Sequence, residues 1–197
     1  MADTKLTYGL NSDRTGYIVT GYENIADGGE VVIPDKHNNG TNGEKFVVGI
    51  NTAAFSRCTS LRSIVIPDSV TSIGSGAFYG CTGLKSITIP DSVTSIYSQA
   101  FNGCSSLESI TLPFVGGSKT ATSSSLSIFG YIFGSSSYEG GIKTMQYYSP
   151  GSATYYYIPT SLKSVTVTGG NILYGAFCNC SGLRSITVGN SVESIGG

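Results

Sequence analysis

The amino-acid sequence predicts a β-rich solenoid, in which short coils of the chain stack on one another to form a single domain. The main evidence is an internal repeat, because residues 61–83 and 84–106 are identical at 16 of 23 positions. The same spacing of apolar residues returns on both sides of this pair, and a fixed period of about 20–50 residues is typical of repeat architectures. We therefore expect coils of about 23 residues along most of the chain.

Each repeat contains the signals for a strand, a turn, a second extended segment and a helical turn. In the repeat that begins at residue 61, Ile64 and Ile66 alternate with outward residues, which is the pattern of a half-buried strand. Pro67 turns the chain, Gly74 ends the second extended segment, and residues 77–81 are predicted to form about one helical turn. One coil cannot form a core alone, so its stability must come from stacking on its neighbours.

The repeat also defines the organisation of the whole chain, 1–197. Residues 1–30 lie outside it and contain two short strands, at 5–10 and 17–22, that we expect to form a hairpin capping the first coil. Coils occupy residues 31–113 and 161–197, and the last one stops before its Ala-Phe segment, so we expect the natural chain to continue. Between them, residues 114–160 form one interrupted coil, in which Ile128 and Phe133 keep the five-residue spacing of the repeat.

Composition excludes some classes of protein. Charged residues make up 12% of the chain and the net charge is −1, so the clustered Lys and Arg of a nucleic-acid-binding surface are missing. No segment approaches the roughly 18 consecutive apolar residues of a membrane-spanning helix. The N-terminal residues are too polar for a signal peptide. The protein is therefore either cytosolic or exported after removal of a signal, and the incomplete last coil favours the second interpretation.

Two strings identify a resemblance to a known family. Ile-Pro-Asp-Ser-Val-Thr-Ser-Ile and Ala-Phe-x-x-Cys-x-x-Leu-x-Ser-Ile resemble the BspA-like, or Treponema pallidum-type, leucine-rich repeats over residues 31–197. The resemblance implies a right-handed leucine-rich-repeat solenoid with a parallel sheet on its concave face and short helical turns on its convex side. It also implies an extracellular or cell-surface protein that contacts a host matrix protein, a glycan or another cell. The family has no shared catalytic residue to transfer to this chain.

No arrangement of residues predicts catalysis or a cofactor. His37 is the only histidine and lies in an inserted loop, with no nucleophile placed near it by the sequence. Four cysteines occupy one repeat position, where a column of small apolar side chains is favoured over a metal or redox ladder. These cysteines are Cys58, Cys81, Cys104 and Cys180.

Two outward columns of the first strand are candidate contact surfaces. Successive strands would place a column of threonines about 4.8 Å apart, a spacing that suits a repetitive partner such as a glycan, although a solvated β surface explains the same pattern. A neighbouring column is mostly basic and favours acidic partners. The candidate contact residues are Thr88, Thr111, Thr166 and Thr187 in the first column and Arg62, Lys85, Lys163 and Arg184 in the second.

The insertion at about 135–159 is rich in tyrosine and has two charged residues. Tyrosine combines a large contact area with a hydrogen-bonding tip, as in antibody binding loops. The alternative is that the rings pack onto the solenoid, and the period-2 run at 155–158 suits a hairpin. The candidate contact residues of this segment are Tyr138, Tyr147, Tyr148, Tyr155, Tyr156 and Tyr157.

Two functional hypotheses remain. The first is a non-catalytic binding or adhesion module of a bacterial surface or secreted protein, which contacts a host protein, a glycan or another cell. The second is a passive stalk that spaces another domain from the cell, because the near-identical middle coils carry little individual information. Neither hypothesis needs a cofactor or a nucleic-acid partner.

Overall fold

The computed structural model describes residues 4–26, 28–122 and 125–196. Within these ranges the chain forms 14 β-strands and two short 3₁₀ helices, at Ser125–Ser127 and Phe129–Ile132. No helix in these ranges has the length and apolarity to cross a membrane. The strands are β1 (Lys5–Leu10), β2 (Tyr17–Asn24), β3 (Glu30–Val32), β4 (Lys36–Asn38), β5 (Glu44–Ile50), β6 (Ser63–Val65), β7 (Ser72–Ile73), β8 (Ser86–Thr88), β9 (Ser95–Ile96), β10 (Ser109–Leu112), β11 (Gly141–Ser149), β12 (Ser152–Pro159), β13 (Ser164–Ile172) and β14 (Ser185–Ile195).

Equivalent strands of successive repeats lie side by side in parallel. The first strands of four repeats form a sheet in the order β14-β13-β10-β8, and the second strands pair in the order β5-β7-β9. Ile87 lies beside Ile110, and Ile73 lies beside Ile96. Residues at the same repeat position therefore become neighbours, as the sequence predicts, and the fold is a β-rich solenoid with parallel sheets.

The segment expected to be helical is a series of hydrogen-bonded turns. The Tyr79 amide donates to the Gly76 carbonyl at 2.9 Å, while the Phe78 amide donates to the Ala100 carbonyl of the next coil at 2.8 Å. One coil earlier, the Phe55 amide donates to the Ala77 carbonyl at 2.7 Å. Because these backbone groups bond to the adjacent coil, they are not available for an i→i−4 helical pattern.

Aromatic rings form a ladder through the core. Phe55, Phe78 and Phe101 are fully buried, and successive ring centroids are 5.5 and 5.4 Å apart with interplanar angles of 4° and 5°. Tyr22 extends the ladder at 6.0 Å. Beyond Phe101 the stack is tilted by 52° against Phe133, so the interrupted coil disturbs the regular stacking.

The cysteine column packs beside this ladder. Cys58, Cys81 and Cys104 are buried free thiols. The Cys81 thiol donates to the Phe55 carbonyl at 3.1 Å, and the Cys104 thiol donates to the Phe78 carbonyl at 3.2 Å. Burial raises the pKa of Cys104 to about 12 and raises the pKa of Cys81 as well. Protonated thiols that bond to the previous coil agree with the packing interpretation.

The N-terminal strands extend one of the sheets. Strands β1 and β2 form the expected antiparallel hairpin, and β2 continues the sheet by pairing in parallel with β5. The inserted loop that contains His37 forms strand β4, which pairs antiparallel with β5. His37 of β4 stacks on Tyr8 of β1, with ring centroids 3.9 Å apart. His37 therefore has a packing contact that joins the N-terminal hairpin to the inserted strand.

A backbone bond of the type found between regular coils joins the interrupted coil to the coil before it. The Phe101 amide donates to the Ile132 carbonyl at 2.9 Å, which is the bond that Phe78 makes to Ala100 one coil earlier. The tyrosine-rich insertion then forms an antiparallel hairpin of β11 and β12. Thr144, Gln146, Tyr156 and Ile158 form its buried face, so the hairpin packs onto the solenoid rather than projecting from it.

Candidate functional site

Four of the predicted contact residues lie in one row across the four-stranded sheet. The register pairs Thr88 with Thr111, Thr111 with Thr166, and Thr166 with Thr187. Parallel pairing spaces neighbouring strands by about 4.8 Å. Thr88, Thr111 and Thr166 alternate with buried apolar residues, so their side chains point away from the core. Thr187 lies on the edge strand β14, where its neighbours Ile186 and Val188 are 42% and 40% exposed. The structure thus brings together the hydroxyl row that the repeat predicts.

The basic column runs beside this row, at the start of each strand. Backbone bonds link Glu108 to Lys85 at 2.8 Å, Lys163 to Glu108 at 2.9 Å, and Arg184 to Lys163 at 2.8 Å. Lys85 and Arg184 are exposed. The Lys163 ammonium donates to the Thr160 carbonyl at 2.5 Å, so its charge is held near the sheet. Three positive charges and one carboxylate therefore line this edge.

The row of first strands is split at one position, between β6 and β8. Strand β6 pairs with β3 and strand β8 pairs with β10, but β6 and β8 do not pair. The Lys85 amide lies 3.5 Å from the Arg62 carbonyl, at the upper limit for a hydrogen bond. Arg62 consequently precedes a strand of a separate two-stranded sheet, although the sequence predicts one continuous column.

Two further bonds that join intact coils are not formed at this split. Elsewhere the Ser109 amide donates to the Lys85 carbonyl, and the Ile89 amide donates to the Thr111 carbonyl at 2.9 Å. Within the described ranges, the Ser86 amide does not donate to the Arg62 carbonyl, and the Ile66 amide does not donate to the Thr88 carbonyl. The split leaves backbone donors and acceptors facing an opening.

The opening is a groove of about 620 Å³. Outward hydroxyl groups line its sides, and two carboxylates lie at the carboxyl ends of the strands. The Thr168 hydroxyl donates to Asp91 Oδ1 at 2.6 Å, whereas Asp68 makes no hydrogen bond or ion pair within the described ranges. The polar lining includes Ser63, Ser86, Thr88, Thr111, Asp68 and Asp91.

Two of the candidate tyrosines have structural roles. Tyr156 is 7% exposed, and its hydroxyl donates to the Ser125 carbonyl at 3.2 Å. The Tyr138 hydroxyl donates to the Tyr157 carbonyl at 3.1 Å. Burial raises the pKa of Tyr156 to about 12 and raises the pKa of Tyr138. These two hydroxyl groups are used within the protein, so the expectation that they contact a partner is not supported by the geometry.

Three other tyrosines share the outer face of the hairpin. The register places Tyr155 and Tyr157 opposite Met145 and Lys143, and Tyr147 opposite Ala153. Tyr155 is 47% exposed, and the Lys143 ammonium lies 4.2 Å from the centroid of its ring. This face combines aromatic surface with one cation, which is a composition found at protein interfaces.

Tyr148 lies in a different groove, of about 310 Å³. Its neighbours there include Lys119, Asn171 and Tyr174.

Sequence reasoning missed Tyr174, which follows the insertion, and it also missed Asp68, Asp91 and Thr168 in the larger groove. The repeated Ile-Pro-Asp string could have identified the two aspartates, because both occupy one repeat position. No residue is shared between the two groove linings, so the threonine row and the tyrosines form separate surfaces.

Parallel stacking of short coils, with apolar residues at fixed repeat positions, places the protein in the class of repeat solenoids. Within the described ranges, no group of three or more His, Cys, Asp or Glu side chains could hold a metal ion. The family model for the BspA type leucine rich repeat region matches residues 44–139 and 141–197 in six copies, and the chain belongs to this family. Leucine-rich-repeat proteins generally mediate protein interactions.

Solved structures agree with this assignment. A leucine-rich-repeat protein of T. pallidum is 30% identical with a TM-score of 0.56, and the match covers 97% of this chain and 83% of that one. A leucine-rich-repeat protein of Bacteroides capillosus is 29% identical with a TM-score of 0.51, and the match covers 57% of this chain and 81% of that one. No curated protein matches the sequence significantly.

Proposed function

We propose that the chain is a non-catalytic binding module of a bacterial cell-surface or secreted protein. Its binding surface is the outward face of strands β8, β10, β13 and β14, together with the groove beside β8. The observation that carries the proposal is the split between β6 and β8, because it gives an otherwise regular sheet a concave feature that combines apolar surface with hydroxyl groups and two carboxylates. A rigid scaffold with one such feature suits recognition.

The charge distribution of this face supports a partner with both signs of charge. Basic side chains stand at the start of the strands, and Asp68 and Asp91 stand at their other ends. A partner with the complementary pattern would be oriented as it approaches. We propose a host extracellular-matrix protein, or a protein on another cell, as the partner. A glycan would form hydrogen bonds with the threonine row but would make no use of the charged residues at the two ends of the strands.

The outer face of the tyrosine hairpin is a second contact surface in this proposal. Tyr155, Tyr157 and Tyr147 supply broad area at a low cost in side-chain entropy. The buried face of the same hairpin anchors it to the solenoid, so the tyrosines are presented on a fixed support. Tyr138 and Tyr156 contribute to this support rather than to the contact.

A passive stalk is the competing function. The observation that favours it is the identity of 16 of 23 positions between two successive coils, which is typical of a sequence selected for stacking. A stalk needs neither the split sheet nor a surface of ordered tyrosines, and it predicts that changes on these surfaces leave binding unaltered.

A binding screen with charge-reversal variants tests the proposed function. The intact chain and the triple variant Lys85→Glu/Lys163→Glu/Arg184→Glu are compared on a panel of matrix proteins, mucins and glycans. We expect at least one partner whose affinity falls by at least about tenfold in the triple variant, because three favourable charges become repulsive.

The matched control reverses the same number of charges elsewhere, in Lys5→Glu/Arg14→Glu/Arg57→Glu. These residues are exposed and lie outside the sheet face. Equal losses in the two triple variants would mean that net charge, rather than this surface, governs binding. Absence of any partner on the panel would favour the stalk.

A further inference from the structure

We infer that the smaller groove, beside Tyr148, binds an acidic sugar, which is a pyranose ring that carries a carboxylate or a sulfate group. This groove of about 310 Å³ shares no lining residue with the larger groove beside β8. The inference therefore goes beyond the proposed function, which concerns the sheet face. Sites for small molecules have volumes of about 300–1,000 Å³, so the groove has the size of a site for a small ligand.

Two tyrosine rings supply the aromatic surface of the groove. Tyr148 lies near the end of β11, and Tyr174 follows β13. The two segments pack together, because Gly175 lies so close to the Tyr147 carbonyl that a Cβ atom there would clash with it. Tyr174 is 42% exposed, so part of its ring is open to a ligand. The polarised C–H groups of a sugar ring pack on the electron-rich face of such a ring.

Lys119 gives the groove a positive charge. Its side chain is exposed and has no ion pair or hydrogen bond within the described ranges. Its backbone is fixed, because the Lys119 amide donates to the Thr94 carbonyl at 3.0 Å. No Asp or Glu is among the described residues that line the groove. A carboxylate or sulfate group would therefore meet a cation with no competing partner and form charge-assisted hydrogen bonds.

Hydrogen-bonding groups around the rings match the hydroxyl groups of a sugar. Asn171 Oδ1 accepts from the Ser194 hydroxyl at 2.6 Å, which orients the amide and leaves its Nδ2 without a partner in the described part of the chain. The hydroxyl groups of Tyr148 and Tyr174 make no hydrogen bond there either, and Thr122 adds another hydroxyl group. The groove thus combines donors and acceptors beside its aromatic surface, as a ring with several hydroxyl groups requires.

The larger groove has the opposite character. Its lining contains two carboxylates and no aromatic ring, so it would repel an acidic sugar and offer it no stacking surface. An acidic peptide would also be attracted to Lys119, but the free amide and hydroxyl groups beside the tyrosine rings match a hydroxylated ring more closely. An acidic sugar is therefore favoured at the smaller groove.

Nuclear magnetic resonance titration of the isotope-labelled intact chain with methyl glycosides tests the inference. The probes are methyl β-glucuronide, methyl β-glucoside 6-sulfate and the neutral methyl β-glucoside. We expect the amide signals of Lys119, Asn171 and Tyr174 to shift, and at least one acidic probe to bind at least about fivefold more tightly than the neutral one. The acidic probe that binds more tightly identifies carboxylate or sulfate as the preferred group.

Two variants separate the contributions of charge and stacking. Lys119→Gln should remove the preference for the acidic probes, whereas Tyr174→Ala should weaken all three probes by at least about fivefold, because a stacking surface is lost. Tyr174→Phe keeps the ring and should retain most of the affinity. The controls are Lys5→Gln and Tyr97→Ala, which remove one charge and one exposed ring outside the groove.

Three results would overturn the inference. The first is the absence of shifts at the groove with every probe, and the second is an equal loss of the acidic preference in Lys5→Gln. The third is equal binding of N-acetylglutamate amide at the same residues, because the groove would then recognise charge alone. None of these results affects the binding screen of the sheet face, which tests the proposed function separately.

Discussion

Replacement of Phe78 by alanine is expected to lower the free energy of unfolding by about 3–5 kcal/mol. The Phe78 side chain is fully buried between the rings of Phe55 and Phe101, at centroid distances of 5.5 and 5.4 Å. Truncation removes buried apolar area and two stacked aromatic contacts, and it leaves a cavity between three coils. Urea denaturation followed by far-ultraviolet circular dichroism measures the change.

Tyr97→Ala is the matched control for this prediction. Tyr97 lies in the next coil and is 54% exposed, so its truncation should change the free energy of unfolding by no more than about 0.5 kcal/mol. Similar losses in the two variants would contradict the assignment of Phe78 to a central position in the stack.

Gln146→Leu is expected to lower the free energy of unfolding by about 3 kcal/mol, because it removes the partner of the buried Gly130 amide and a donor to the partly buried Cys178 carbonyl. Gln146 is fully buried on β11. Its Oε1 accepts from the Gly130 amide at 2.6 Å, and its Nε2 donates to the carbonyls of Ala176 and Cys178 at 3.2 and 3.3 Å. This one side chain therefore joins the tyrosine hairpin to the two segments beneath it.

Leucine keeps most of the volume of glutamine, so the loss reports the hydrogen bonds rather than a cavity. Lys143→Gln on the same strand is the control, since Lys143 is exposed. The same denaturation experiment should find the control close to the unchanged protein. A Gln146→Leu protein with unaltered stability would show that the hairpin is held by its apolar contacts alone.

The repeat predicts much of the fold because it encodes both the core and the pairing register. Residues one repeat apart, such as Ile87 and Ile110, must be neighbours if their shared apolar position is to be buried. The five-residue spacing of Ile128 and Phe133 extends the same logic to the interrupted coil, where the Phe133 ring packs against Phe101 but is tilted by 52°. The helical turn was harder to predict, because bonds between coils replace bonds within the turn.

The split sheet is the part of the site that the sequence does not reveal. The strand at 63–66 reads Ser-Ile-Val-Ile and the strand at 86–89 reads Ser-Ile-Thr-Ile, and both match the pattern of strands that pair. Their separation depends on how whole coils are stacked, which no single position encodes. The tyrosines pose a related problem, because a period of two predicts that alternate rings are buried but does not say which face of the hairpin turns inward.

Hydrogen exchange of four backbone amides tests the central structural claim, that the sheet is unpaired between β6 and β8. The amides of Ser86 and Ile66 are compared with those of Ser109 and Ile89, which hold the equivalent positions in an intact pair of coils. The account predicts that the first two exchange at least about 100-fold faster than the second two in the free protein. Equal protection of all four amides would mean that β6 and β8 are paired in solution, and it would contradict the split on which the proposed function rests.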